Sequence, residues 1–132
     1  MEIMVSHQRG RVPVTVFCIK GDLNAETYEQ FLAQVQQAFQ AGTRYLLLDL
    51  AKVSYVSSYG IRAISRAFAW LRDTGQGESE ADVSKGLRDG SFKSSHLKLL
   101  NPSRQVLQVL TMAGIDMFLE IHSNLQEAIG SF

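Results

Sequence analysis

One cysteine among 132 residues excludes an internal disulfide, and Cys18 sits inside an apolar run, which fits a reducing compartment. Charge of one sign is also missing. Thirteen basic residues face thirteen acidic ones, so no net field exists to gather nucleic acid or anionic lipid, and neither is expected as a partner. No run of about 20 apolar residues is available to cross a bilayer, and the opening MEIMVSHQRG has neither the basic nor the long apolar region of a secretory signal. A cytoplasmic protein without membrane insertion is the expectation. His7, His96 and His122 lack metal-ligand spacing, so neither a metal nor another cofactor is expected.

What is present is an alternation of strand and helix patterns in a chain of one-domain size. Residues 3–5 and 12–20 are rich in β-branched residues and separated by the turn-like QRG, which predicts an antiparallel pair with Pro13 near an edge or a strand start. Asn24 is placed to cap a helix with Tyr28, Phe31, Leu32, Val35 and Phe39 at helical spacing, closed by Gly42. Tyr45 to Leu48 read as a strand covered on both faces, ended by Asp49. A second helix carries Ile61, Ile64, Phe68 and Leu71, with Ala63 and Ala67 beside them. Residues 73–95 lose all period and predict an exposed insertion loop. Leu97–Leu100 resume as a strand, and Asn101-Pro102 set up a helix bearing Val106, Leu110 and Ala113 before Gly114. Met117–Ile121 predict a strand, and Ser123 with Gln126 a capping box for a last helix with Leu125, Ala128 and Ile129. The expected fold is α/β: one domain over residues 1–132, a mixed sheet of four to five strands and about four helices.

Three stretches resemble the STAS family of anti-sigma factor antagonists. GDLNAETYEQF (21–31) is similar to that family's loop into its first helix, LLLDLAKVSYVSSYGI (46–61) to its strand and D-S-S/A-G-L segment, and LLNPSRQVLQVLTMAGIDMFLEIHSNLQEAI (99–129) to its closing elements. The resemblance implies a non-enzymatic binding module. Its partner would be an anti-sigma factor that is also a serine protein kinase, captured only while an acceptor serine is unmodified; a homodimer is left open. On this chain the acceptor falls on Ser58, with Asp22, Asn24, Ser57, Tyr59, Gly60, Ile61 and Arg62 in the partner-contact region. Ser57 stands where the family carries an aspartate, Tyr59 replaces a small residue, and Asn24 replaces an aspartate.

Two other readings of the serines compete. As plain N-caps they would serve a constitutive STAS subunit of a lipid-transport or signalling assembly, without phosphorylation. As part of V-S-S-Y-G, with Val56 at the first glycine of G-x-S-x-G, they would belong to a small serine hydrolase using His96 or His122 and Asp116; the motif is incomplete, and no catalytic residue is expected.

Overall fold

The computed structural model describes residues 1–72 and 93–132. β1 (Glu2–Arg9) and β2 (Pro13–Lys20) form the expected antiparallel pair, with Pro13 as the first residue of its strand. A proline there gives up a donor at the strand start, where its loss costs the ladder least. β3 (Leu46–Lys52), β4 (Leu97–Leu100) and β5 (Ile121–His122) then add in parallel, so the sheet order is the order of the sequence.

The helices are α1 (Tyr28–Gln40), α2 (Ser58–Arg72), α3 (Arg104–Met112) and α4 (Leu125–Ser131). Strands added in one direction with crossovers of one hand put the intervening helices on one face. Phe31 and Val35 of α1, Ile64 and Ala67 of α2, and Val106 and Leu110 of α3 accordingly share a single core with Phe17, Ile19, Leu46, Leu48, Leu50 and Leu99. Among the described residues the opposite face is covered by α4, where Ala128 and Ile129 pack on Val14, Val16, Leu47 and Leu100. The period of two explains why Leu46, Leu47 and Leu48 are all apolar: Leu46 and Leu48 serve one core and Leu47 the other. None of the described helices is long and apolar enough to cross a membrane.

Several local expectations are corrected. β3 does not end at Asp49 but runs on to Lys52, because Leu50 still faces the helix layer while Asp49, on the other face, lies beyond Leu47 and folds its carboxylate back to accept the Ala51 N–H (3.0 Å). Asn24 does not cap α1. Its side chain accepts the Glu26 N–H (2.9 Å) in a turn, its carbonyl accepts from Thr27 and Tyr28, and the helix proper starts at Tyr28. Pro102 is likewise outside its helix; Ser103 caps α3 by accepting the Val106 N–H, and Ala113 is an exposed C-cap rather than a core position.

The strand expected over Met117–Ile121 is reduced to Ile121–His122. Gly114, at φ 79°, turns the chain out of α3 into a 3₁₀ turn over Ile115–Met117, and the buried pair Ile115 and Leu119 is spaced for a helical turn, not a strand. The last helix is capped by Asn124, whose side chain accepts the Glu127 N–H (3.0 Å), one residue later than the Ser123-Gln126 box. Leu125 is exposed, so among the described residues the apolar anchors of α4 are Ala128 and Ile129. Of the loop expected over 73–95, residues 73–92 lie outside the described residues; Lys93 is exposed and Ser94 is buried.

Candidate functional site

The site begins where β3 runs out. After Lys52 the chain passes alongside the segment that leaves β2: Gly21 donates to the Lys52 carbonyl (3.1 Å), Leu23 to that of Tyr55 (2.9 Å), and Ser57 to that of Leu23 (2.9 Å), with a parallel bridge between Leu23 and Val56. Leu23 and Val56 are both buried, so this short zipper is anchored in the core. It carries Asp22 and Asn24 on one strand of the zipper and the two serines on the other. The Asp22–Asn24 turn is itself braced by Thr27, whose hydroxyl accepts the Asn24 N–H (2.9 Å) and donates to the Asp22 carbonyl (2.8 Å).

The two serines have different jobs. The Ser57 hydroxyl accepts the Tyr59 N–H (3.2 Å) and its carbonyl accepts the Ile61 N–H (2.9 Å), so Ser57 is the cap of α2. Ser58 is the first residue of the helix, exposed, and among the described residues its hydroxyl makes no hydrogen bond. The first turn of α2 contains no acidic side chain, and Arg62 lies one helical turn on from Ser58.

Gly60 lets this junction close. A Cβ at position 60 would lie 2.6 Å from the Leu23 carbonyl oxygen and 2.8 Å from a Val56 methyl, and the first of these is backbone that belongs to the zipper. Gly60→Ala should therefore push the head of α2 off the zipper and cost about 1–3 kcal/mol in a chemical-denaturation midpoint; an unchanged midpoint would mean that the junction yields freely.

Around the serines the surface is apolar. Tyr59, 43 % exposed, sits 5.4 Å from the Tyr28 ring, with the Arg62 guanidinium 5.1 Å from its centroid. The Tyr28 hydroxyl donates to Glu29 (3.2 Å), and that bond together with the Glu29 charge raises the phenol above its ordinary 10. Between the head of α2 and the end of α3 runs an open groove lined by Tyr55, Ser58, Ile61, Arg62, Val109 and Met112, among others. Met112 is 82 % exposed. The contribution of α3 to this surface is what the sequence reading missed. Its only signal was that Val109 and Met112 fall off the Val106–Leu110 core stripe.

Asp22, Asn24, Ser57, Ser58, Tyr59, Gly60, Ile61 and Arg62 are thus brought to one end of the molecule, at the carboxyl ends of the strands. The hydrolase candidates are not. His96 is buried at the amino-terminal end of β4, bonded through Nδ1 to the Arg44 carbonyl (2.9 Å) and stacked on Tyr45. His122 contacts Glu120 (3.0 Å) and the Ser131 hydroxyl (3.4 Å) through the same Nε2, which cannot relay a proton between two partners as a catalytic triad does. No histidine bonds to Ser57 or Ser58 among the described residues. There is also no cluster there of three or more His, Cys, Asp or Glu able to hold a metal.

A second polar group also went unread. Lys98, buried on the α4 face, donates to the Ser131 carbonyl (2.9 Å) and hydroxyl (3.0 Å), pairs with Glu120 (3.0 Å) and lies under the Phe132 ring. Burial alone would push the Glu120 carboxyl up, but Lys98 and then His122 together hold it below its ordinary 4.5. A lowered native value means stability that is in place above 4.5 and is lost as the pH falls through that lowered value. Melting temperatures followed from neutral pH into acid should fall less steeply for Lys98→Met than for the natural chain. Equal slopes would show that the pair is not linked to folding.

The sheet order, the helices crowded on one face and the serine pair at the head of α2 define an α/β fold of one type. The chain belongs to the STAS domain family, whose model matches residues 4–76. It is 33 % identical over 63 residues to the Bordetella bronchiseptica protein named as anti-sigma factor antagonist BtrV, covering 48 % of this chain and 53 % of that one. The chain thus spans about half the length of the curated relative it matches. Among solved structures it is similar to an anti-sigma-factor antagonist (STAS) domain protein from Planctomyces limnophilus, at 25 % identity and TM-score 0.69 over 96 % of this chain and 93 % of that one. It also shares its fold with the anti-sigma factor antagonist SpoIIAA in unphosphorylated form (19 % identity, TM-score 0.69, 97 % and 93 % of the two chains) and, from Bacillus, in phosphorylated form (18 %, 0.63, 97 % and 96 %).

Proposed function

We propose that this protein is a cytoplasmic anti-sigma factor antagonist that captures a kinase-type anti-sigma factor and is released from it by phosphorylation of Ser58. The observation that carries this reading is the division of labour at the head of α2: Ser57 satisfies the helix, leaving the Ser58 hydroxyl exposed and unbonded among the described residues. A serine that was only a cap would be engaged. Asp22, Asn24, Ser57, Tyr59, Gly60, Ile61 and Arg62 are the proposed contact region. A phosphate there brings about −1.5 to −2 charges. It would meet the positive end of α2 and Arg62, with no acidic side chain in the first turn to repel it. Neutral Ser57 in place of the family's aspartate removes one further repulsion. A match to BtrV and a fold shared with SpoIIAA, which exists in phosphorylated form, support the same reading.

The test is incubation with the cognate kinase and ATP followed by peptide mass spectrometry. One phosphate on Ser58 and none on Ser57 is the expected result, and Ser57→Ala should still accept it. An unmodified chain would return both serines to the constitutive STAS subunit, a binding module without a switch.

A further inference from the structure

β1 is an edge strand, and among the described residues nothing pairs with its outer side. Its register with β2 runs from Glu2↔Lys20 to Arg9↔Pro13 without a bulge, so the free edge is a regular row of unpaired N–H and C=O groups along eight residues. Edges of that length are normally blunted by lysine, proline, a bulge or an inward charge. β1 has none of these between its ends. The intervening residues read IMVSHQ, with Met4 68 % and Val5 46 % exposed.

We propose that β1 pairs antiparallel with β1 of a second copy of this chain, about a two-fold axis through Val5, joining the two sheets into one. Charge selects the direction. Glu2 stands at one end of the strand and Arg9, followed by Arg11, at the other, so antiparallel pairing sets each acidic end beside a basic one, whereas parallel pairing stacks like on like. Geometry restricts the register. A two-fold axis normal to a continuous sheet preserves its faces, and opposed residues must point to the same face, so the axis passes through a residue rather than between two.

Centring on Val5 sets that valine against its own copy, Met4 against Ser6 of the partner subunit and Ile3 against the partner's His7. Centring on Ser6 would instead set Ile3 against the partner's Arg9 and leave the valines apart. A β-branched pair at the axis favours the first. The serine site, which follows β3, lies two strands away and stays open in both copies, so this inference stands whether or not Ser58 is a switch.

Sedimentation velocity of the whole chain over a concentration series should show a dimer that grows with concentration. Val5→Lys, which places two ammonium groups across the axis, should abolish it without lowering the melting temperature. In a Cys18→Ser background, Val5→Cys should form a disulfide-linked dimer under mild oxidation while Gln8→Cys should not. A monomer throughout, a dimer that survives Val5→Lys, or cross-linking through Ser6→Cys in place of Val5→Cys would each overturn the proposal.

Discussion

Ser58→Asp should lose most of its affinity for the kinase-type anti-sigma factor, on the order of 100–1,000-fold by calorimetric titration, while Ser58→Ala keeps it. The magnitude follows from desolvating that charge on docking beyond what Arg62 and the end of α2 compensate, about 3–4 kcal/mol. The surface that receives the charge is apolar, made by Tyr55, Tyr59, Ile61 and Met112 around an open groove. Neither substitution should unfold the protein, because the capping bond belongs to Ser57. Ser57→Ala is the complementary change: it should cost roughly 1 kcal/mol of stability, the worth of an N-cap, and still be phosphorylated on Ser58. Ser57→Asp restores the acidic residue of the family pattern and a competent cap, and should be phosphorylated at least as fast as the natural chain. Undiminished affinity of Ser58→Asp would remove the switch.

The second large effect lies in the core. Ile64 is fully buried between α2 and the sheet, and Leu47 is fully buried on the opposite face. Alanine at either should cost about 2–5 kcal/mol through lost transfer energy and a residual cavity. Asp22→Ala, at an exposed position that contributes only its carbonyl to the local bonding, should stay within about 0.5 kcal/mol. Denaturation midpoints of the three variants decide the matter. If Asp22→Ala fell as far as the other two, its place in the contact region would be structural.

Much of the architecture was legible because it rests on periodicity. The runs at 12–20, 45–48 and 97–100 and the helical stripes through Phe31 and Ile64 each reflect burial, which is written directly in residue type. Ends of elements were less legible. Asp49 looked like a stop because a charged residue interrupts an apolar run, yet an alternating strand puts that residue on a half-covered face and continues. Asn24 and Ser123 both had the chemistry of caps, but the local turn that Thr27 closes over Asp22–Asn24 and the position of Asn124 decided where each helix starts. Met117–Ile121 had strand-like composition, overridden by the left-handed turn at Gly114. The serine pair was readable as a unit, but its division into cap and free hydroxyl was not, since one residue of register separates the two roles. The groove wall on α3 and the Lys98–Glu120 pair depend on contacts between segments far apart in sequence and leave almost no local mark.

Because the strands lie side by side in the order in which they are synthesised, each one after β1 finds its hydrogen-bonding neighbour already made. Among the described residues no later strand has to be threaded between two that have already zipped together. A chain growing from its amino terminus can therefore extend one sheet outward without undoing any earlier step, and the stretch between β3 and β4 is an interval in that assembly rather than an interruption of a completed pair.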